Sequence, residues 1–212
     1  NNGWYGKYHY EMIWWHCAHY ALWNRWELAS EMMRVFTDNL GVFRRKAAAQ
    51  GYAGVRWPKT IGDHAWWEWP LETTALLIWQ QPHPIFYAEL EYRLRPTRET
   101  LEKWRDVVFG TADFMASYAH YDAVCDRYVL GYPLQVVGEN ADPRTTINPA
   151  FELSYWRTGL RLAQQFAEIG HQRLTALFVA YLHDLGVKPE QLALGDHITF
   201  ADFIVSHDDL LV

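Results

Sequence analysis

The chain has 212 residues, a formal net charge of −6 and no run of Lys or Arg longer than Arg44-Arg45-Lys46, so nucleic acid and anionic lipid surfaces are poor partners. No stretch of about 18 uncharged apolar residues occurs, which argues against a membrane-spanning helix. The length suits one helical domain spanning residues 1–212. Asn1-Asn2-Gly3-Trp4 carries neither an initiator Met nor a basic-then-apolar leader, so an internal piece or a processed product is expected and no compartment is assigned. Cys17 and Cys125 are expected to be two buried thiols. The unusual feature is 12 Trp beside 13 Tyr and 10 Phe. A core does not need so many indoles. Their faces also stack on the apolar faces of sugar rings, a mild pointer to carbohydrate.

The period is helical from the start. Met12, Ile13, Trp15, Ala18, His19 and Leu22 predict a helix over 10–24. Trp26, Ala29, Met33, Phe36, Leu40 and Phe43 predict a second over 26–50, stopped near Gly51. A long loop with one short helix is expected over 52–81. The Gln81-Pro82-His83-Pro84 punctuation opens the next helix, to about residue 95. Thr97 offers a hydroxyl cap, with Glu99 in the first turn, for a helix over 97–121. Residues 122–148 read as irregular, with a short hairpin of Tyr128–Leu130 against Leu134–Val137. Asn148-Pro149 opens a helix to about residue 168, followed by one over 171–185 and a short one near Ala201–Ile204. The order is therefore three helical hairpins with long loops between pairs, an all-α toroid whose first helices start on one common face. Sites belong on such loops.

Two of the three presumed helix starts hold a carboxylate, Glu11 and Glu152. Glycoside hydrolysis needs two carboxylic groups, one of them a protonated acid. Desolvation or a neighbouring carboxylate keeps an acid protonated, whereas a helix N-terminus favours the anion. Phe151, Tyr155 and Trp156 could supply the burial. The same positions also suit ordinary helix-start acids stabilised by the dipole. His16 and His19 with Glu11 do not make a metal motif, so no metal is expected. His207-Asp208-Asp209 reads as a solvated turn. No phosphate loop, nucleophile elbow or Cys–His pairing is evident.

Five segments carry a resemblance: Asn2–Trp23 (NGWYGKYHYEMIWWHCAHYALW), Gly51–Lys59 (GYAGVRWPK), Leu77–Tyr92 (LIWQQPHPIFYAELEY), Thr111–Tyr121 (TADFMASYAHY) and Glu139–Leu162 (ENADPRTTINPAFELSYWRTGLRL). In this order they resemble bacterial members of glycoside hydrolase family 65, nearest the kojibiose-type α-glucoside hydrolases, over about residues 2–165. The resemblance implies an (α/α)6-barrel, inversion at the anomeric carbon, no cofactor and an α-glucoside disaccharide or oligosaccharide as substrate. It implies that Glu152 is the general acid and that Glu11 is a sugar-binding carboxylate. By the same likeness Trp4, Trp14, Trp15, Arg56, Trp57, Lys59, Gln80, Gln81, His83, Glu139 and Asn140 form the sugar-binding wall.

The chain also departs from the family. The general base lies on a later helix there, and none of Asp184, Glu190, Asp196 or Asp202 carries its motif. Three helix pairs are visible where a closed barrel needs six. Trp66, Trp67 and Trp69 replace a polar loop, and the tail from residue 166 diverges. Two other readings therefore stand beside the hydrolase: a non-catalytic sugar-binding module, and an incomplete barrel that self-associates or needs a partner through its open edge.

Overall fold

A computed structural model describes residues 7–62 and 72–170. Trp4, Trp66, Trp67, Trp69, the helices expected over 171–185 and near Ala201–Ile204, and the four late carboxylates lie outside the described residues. Seven α-helices and two small antiparallel strand pairs are described, of which only the second is a hairpin. They are β1 (Tyr8–His9), α1 (Ile13–Leu22), α2 (Trp26–Asp38), α3 (Leu40–Ala49), β2 (Thr60–Ile61), α4 (Glu72–Leu76), α5 (His83–Leu94), α6 (Arg98–Tyr118), β3 (His120–Asp122), β4 (Arg127–Val129) and α7 (Ala150–Ile169). The chain is mostly helical, as its periodicity predicts.

α5 is the hub. It packs against α1, α2, α6 and α7. His83, Pro84, Ile85, Phe86, Tyr87, Ala88, Leu90 and Glu91 are all buried, so burial runs right round the helix. A helix surrounded by neighbours has no solvent stripe to keep polar. α1, α5 and α7 form one row, and α2, α3 and α6 lie behind it. Between the rows Tyr10, Phe36, Phe43, Trp57, Tyr87 and Trp104 interlock at ring separations of 5.1–6.4 Å.

The helix expected over 26–50 is two helices. Asn39 adopts φ −104°, ψ 4°, and its side-chain amide donates to the Val35 carbonyl at 2.9 Å. A short polar side chain that takes a backbone carbonyl competes with the helix ladder, and here it breaks it. The stop at Gly51 is as expected. Gly51 has φ 85°, its N–H bonds Ala48 O, and Tyr52 N–H bonds Ala47 O, which satisfies the last carbonyls of α3. α6 starts on its predicted cap: Thr97 Oγ1 accepts from Thr100 N–H at 3.2 Å.

The hairpin over 120–137 differs from expectation. Tyr128 pairs with Tyr121 upstream, not with the Leu134–Val137 segment. Asp122 Oδ1 accepts from the N–H groups of Val124 and Cys125, and Asp126 takes φ 51°, so the turn closes on its own aspartates. Gln135 instead forms a parallel bridge with Leu77. Cys125 is exposed in this turn, contrary to the buried thiol expected; Cys17 is buried.

Candidate functional site

Glu11 and Lys59 are brought together by a two-residue ladder. β1 pairs with β2, Tyr8 opposite Ile61 and His9 opposite Thr60, so Glu11 and Lys59 flank the same ladder. Glu11 N–H donates to Lys59 O at 3.3 Å. Lys59 Nζ then stands 3.5 Å from Glu11 Oε2 and is also paired with Glu139. Trp79 Nε1 donates to the other Glu11 oxygen at 2.9 Å. His9 Nδ1 is 3.7 Å from Glu11 Oε2, beyond hydrogen-bond reach.

Glu139 closes the arrangement. Its N–H bonds Val136 O, and its φ of 52° is left-handed, a strained state for a non-glycine residue held here by the turn and the Lys59 pair. Within this turn Val137 N–H donates to Glu152 Oε1 at 2.6 Å. Glu152 lies in the first turn of α7 and is 1 % exposed. The start of α7 is itself tied down: Asn148, at φ 49°, exchanges a side-chain and a backbone bond with Leu130. One continuous path thus runs from Glu152 through the 136–139 turn to Lys59, Glu11 and Trp79. The Trp79 ring meets Phe151 at 5.7 Å and Tyr155 at 6.2 Å on α7, which returns the path to its origin.

His83 joins the three helix starts. Its Nε2 is 2.9 Å from the Glu11 carbonyl and its Nδ1 is 2.9 Å from the Tyr155 hydroxyl. The N-terminal ends of α1, α5 and α7 therefore converge. Their partial positive charges favour anions, yet burial wins at both acids. Desolvation pushes the Glu152 carboxyl above its ordinary value, and the Val137 amide opposes this only in part. Burial also raises Glu11, against Lys59 and the Trp79 indole; Glu139 adds to the rise. Burial lowers His9 to about 4 and His83 to about 3, so both rings are neutral at neutral pH.

The other residues named by resemblance fall into three groups. Gln80 and Gln81 are clamps: Gln80 Nε2 donates to Trp57 O and Leu77 O, while Gln81 spans the Trp57 N–H and carbonyl. Trp57 is fully buried and its indole donates to Thr111 at 2.8 Å, so its ring is core in this structure. Arg56 fastens Gln50 to the Ala75 carbonyl, joining the end of α3 to α4. These four brace the loop that carries Lys59. Trp14 is buried, stacked on Phe86 at 5.5 Å, and Trp15 stands against it edge-on, 59 % exposed. Asn140 is exposed beside Glu139.

Trp79, Tyr155 and the Val137 amide complete the network but were not singled out as binding groups from the sequence. Their partners lie 15 to 72 residues away; Trp79 and Tyr155 stand inside segments that carry the resemblance, whereas Val137 lies outside them. Among the described residues no group of three or more His, Cys, Asp or Glu is placed to hold a metal ion. No helix among them is long and apolar enough to cross a membrane. A scan against protein-family models gives no match to this chain. No curated protein matches it either.

Proposed function

We propose that the chain is an arc of an α/α toroid from an inverting α-glucoside hydrolase, with Glu152 as the general acid. The observation that carries this reading is a glutamic acid buried at a helix start, where desolvation raises its carboxyl above the ordinary value although the helix dipole favours the anion. In the protonated carboxyl one oxygen accepts the Val137 amide and the other carries the proton. That proton passes to the glycosidic oxygen as the bond to the anomeric carbon breaks. Water then attacks the opposite face, and a carboxylate roughly 6.5–9.5 Å from the acid takes the water's proton. On the family resemblance that base comes from a later helix. Glu11, Lys59 and Glu139 offer charged partners to sugar hydroxyls, and Trp15 offers an exposed indole face.

Purified chain is tested on α-linked glucose disaccharides, with the anomer of released glucose read by NMR before mutarotation. Inversion gives the β-anomer. No hydrolysis by a normally folded chain, or equal hydrolysis by Glu152→Gln, rejects the reading.

One observation favours a second reading. Glu11 and Glu139 share Lys59, and a carboxylate neutralised in this way is a poor base. A sugar-binding module without turnover fits that pairing. Glucoside binding that survives Glu152→Gln, with no turnover in either protein, selects it. Trp15, Leu22 and Trp23 are exposed on and just beyond α1, which gives the self-association of an open edge its chemistry. Sedimentation over a concentration series tests it.

A further inference from the structure

We infer that His83 is a positioning residue that fixes the Glu11 backbone against α7 through one tautomer, and that it does not itself bind sugar. Its functional arm rests on the reading above. The geometry leaves one proton arrangement. A carbonyl oxygen can only accept, so the Nε2 nitrogen 2.9 Å from Glu11 O must carry the ring proton. The ring is buried and neutral, so Nδ1 is bare and accepts from the Tyr155 O–H at 2.9 Å. Both ring nitrogens are thereby used, and the imidazole is 1 % exposed. Trp79 packs edge-on at 4.6 Å and closes the remaining side. No donor or acceptor of His83 is left for a sugar hydroxyl.

Its leverage comes from what it joins. One bond holds the residue that carries the Glu11 carboxyl, and the other holds α7 one turn beyond Glu152. Two bonds on a rigid ring therefore set the distance between the two acids. A side chain that orients reacting groups without touching them changes turnover more than binding.

The test uses two amides that each keep half of the imidazole. In His83→Gln the terminal amide reaches the Nε2 position and can still donate to Glu11 O. In His83→Asn the amide reaches only the Nδ1 position and can still accept from Tyr155. The first measurement is the nitrogen spectrum of histidine-labelled wild-type chain. The expected result is one ring held as the Nε2–H tautomer from pH 8 to pH 5. An Nδ1–H ring, or a ring that takes a second proton near pH 6, overturns the assignment.

The second measurement is the carboxyl titration of Glu11 by carbon NMR. His83→Asn frees the Glu11 backbone toward water and lowers the titration midpoint by about 1 pH unit, whereas His83→Gln leaves it near wild type. A purely structural histidine would lower the melting temperature in both variants and leave this midpoint unmoved, which also overturns the proposal. On α-glucosides, His83→Asn is expected to lower kcat about 100-fold with KM within about threefold, and His83→Gln to retain most turnover. Equal losses in KM for both variants would mark a sugar contact and sink the idea. If wild-type chain cleaves no glucoside, the hydrolase reading fails, while the two NMR measurements still decide the role of His83.

Discussion

Gly159 sits on α7 where that helix crosses the start of α5. A Cβ built there would stand 2.7 Å from Pro82 Cβ, 3.3 Å from its Cγ and 3.4 Å from its Cα. Pro82 is part of a rigid ring at the N-cap of α5 and cannot swing aside. Carbon contacts normally sit at about 3.5–4.0 Å, so Gly159→Ala requires α7 to retreat by about 0.8 Å. Overpacking of this kind costs about 1–3 kcal/mol. The better helix propensity of Ala returns up to about 1 kcal/mol. The balance is a loss of up to about 2 kcal/mol, or roughly 4–8 °C in Tm at the upper end for a chain of this size. Gly41 in α3 is the control. Its Cβ would meet only the end of a flexible arginine, Arg45, at 3.6 Å. There the propensity acts alone, and Gly41→Ala gains up to about 1 kcal/mol. Urea titration with matched m values reads both changes. The same substitution should thus carry opposite signs at the two positions. A Gly159→Ala chain as stable as Gly41→Ala would refute the argument from helix approach. A functional consequence follows as well. Glu152 lies two turns upstream on the moving helix, so its 2.6 Å bond from Val137 loosens; that bond opposes the upward shift, so its loss moves the carboxyl further above the ordinary range.

Glu91 is buried and accepts from Lys103 through both oxygens and from Trp104 Nε1 at 2.6 Å. Glu91→Ala leaves that indole N–H unpaired and should cost about 2–4 kcal/mol by urea titration, with Glu91→Gln closer to wild type. Lys59→Met removes the cation that holds Glu11 down, so the Glu11 midpoint should rise further in a carboxyl titration. A fall would show that Lys59 acts by shielding the site from water. The buried acids and the buried histidines pull stability in opposite directions with pH. Glu152 is raised above 4.5, so the folded state binds the extra proton and stability falls as pH rises from 4.5 through the folded value. Glu152→Gln should flatten that limb in urea titrations at stepped pH. His83 is lowered from 6.5 to about 3 and His9 to about 4, so their contribution is present above 6.5 and is lost as pH falls toward 3. His83→Gln should therefore be less sensitive to acid than wild type, although less stable at neutral pH.

The helices were legible where the signal was local. Thr97 announces α6, Pro82 and Pro84 announce α5, and Asn148-Pro149 announces α7. Each is a backbone preference that acts within one turn. The break at Asn39 was not legible, because Asp38-Asn39-Leu40 holds neither Gly nor Pro and the apolar spacing runs through it. What breaks the helix is one side-chain amide choosing a carbonyl, a competition that periodicity does not record. The hairpin was misplaced for a similar reason. The true partner strand, His120–Asp122, is polar and mostly exposed, so apolar alternation paired Tyr128–Leu130 with Leu134–Val137, whereas the aspartate turn at 122–126 sets the true pairing. At the site, the position of Glu152 at a helix start was readable. Its burial and its Val137 partner were not, since they depend on a turn that Lys59 fastens from 80 residues away. Trp57 shows the converse: an indole inside a flagged motif that the fold spends on its core.

The all-round burial of α5 also sets an order of events in the chain's breathing. Its amides can meet solvent only when α1, α2, α6 and α7 separate from it. In deuterium exchange its middle turns, around Tyr87 and Ala88, should be the last to label. The β3–β4 hairpin, exposed on its outer strand, should label first. The two helices whose starts carry the acids, α1 and α7, both pack against this slow centre, so the spacing of the two acids is anchored in the least yielding part of the molecule.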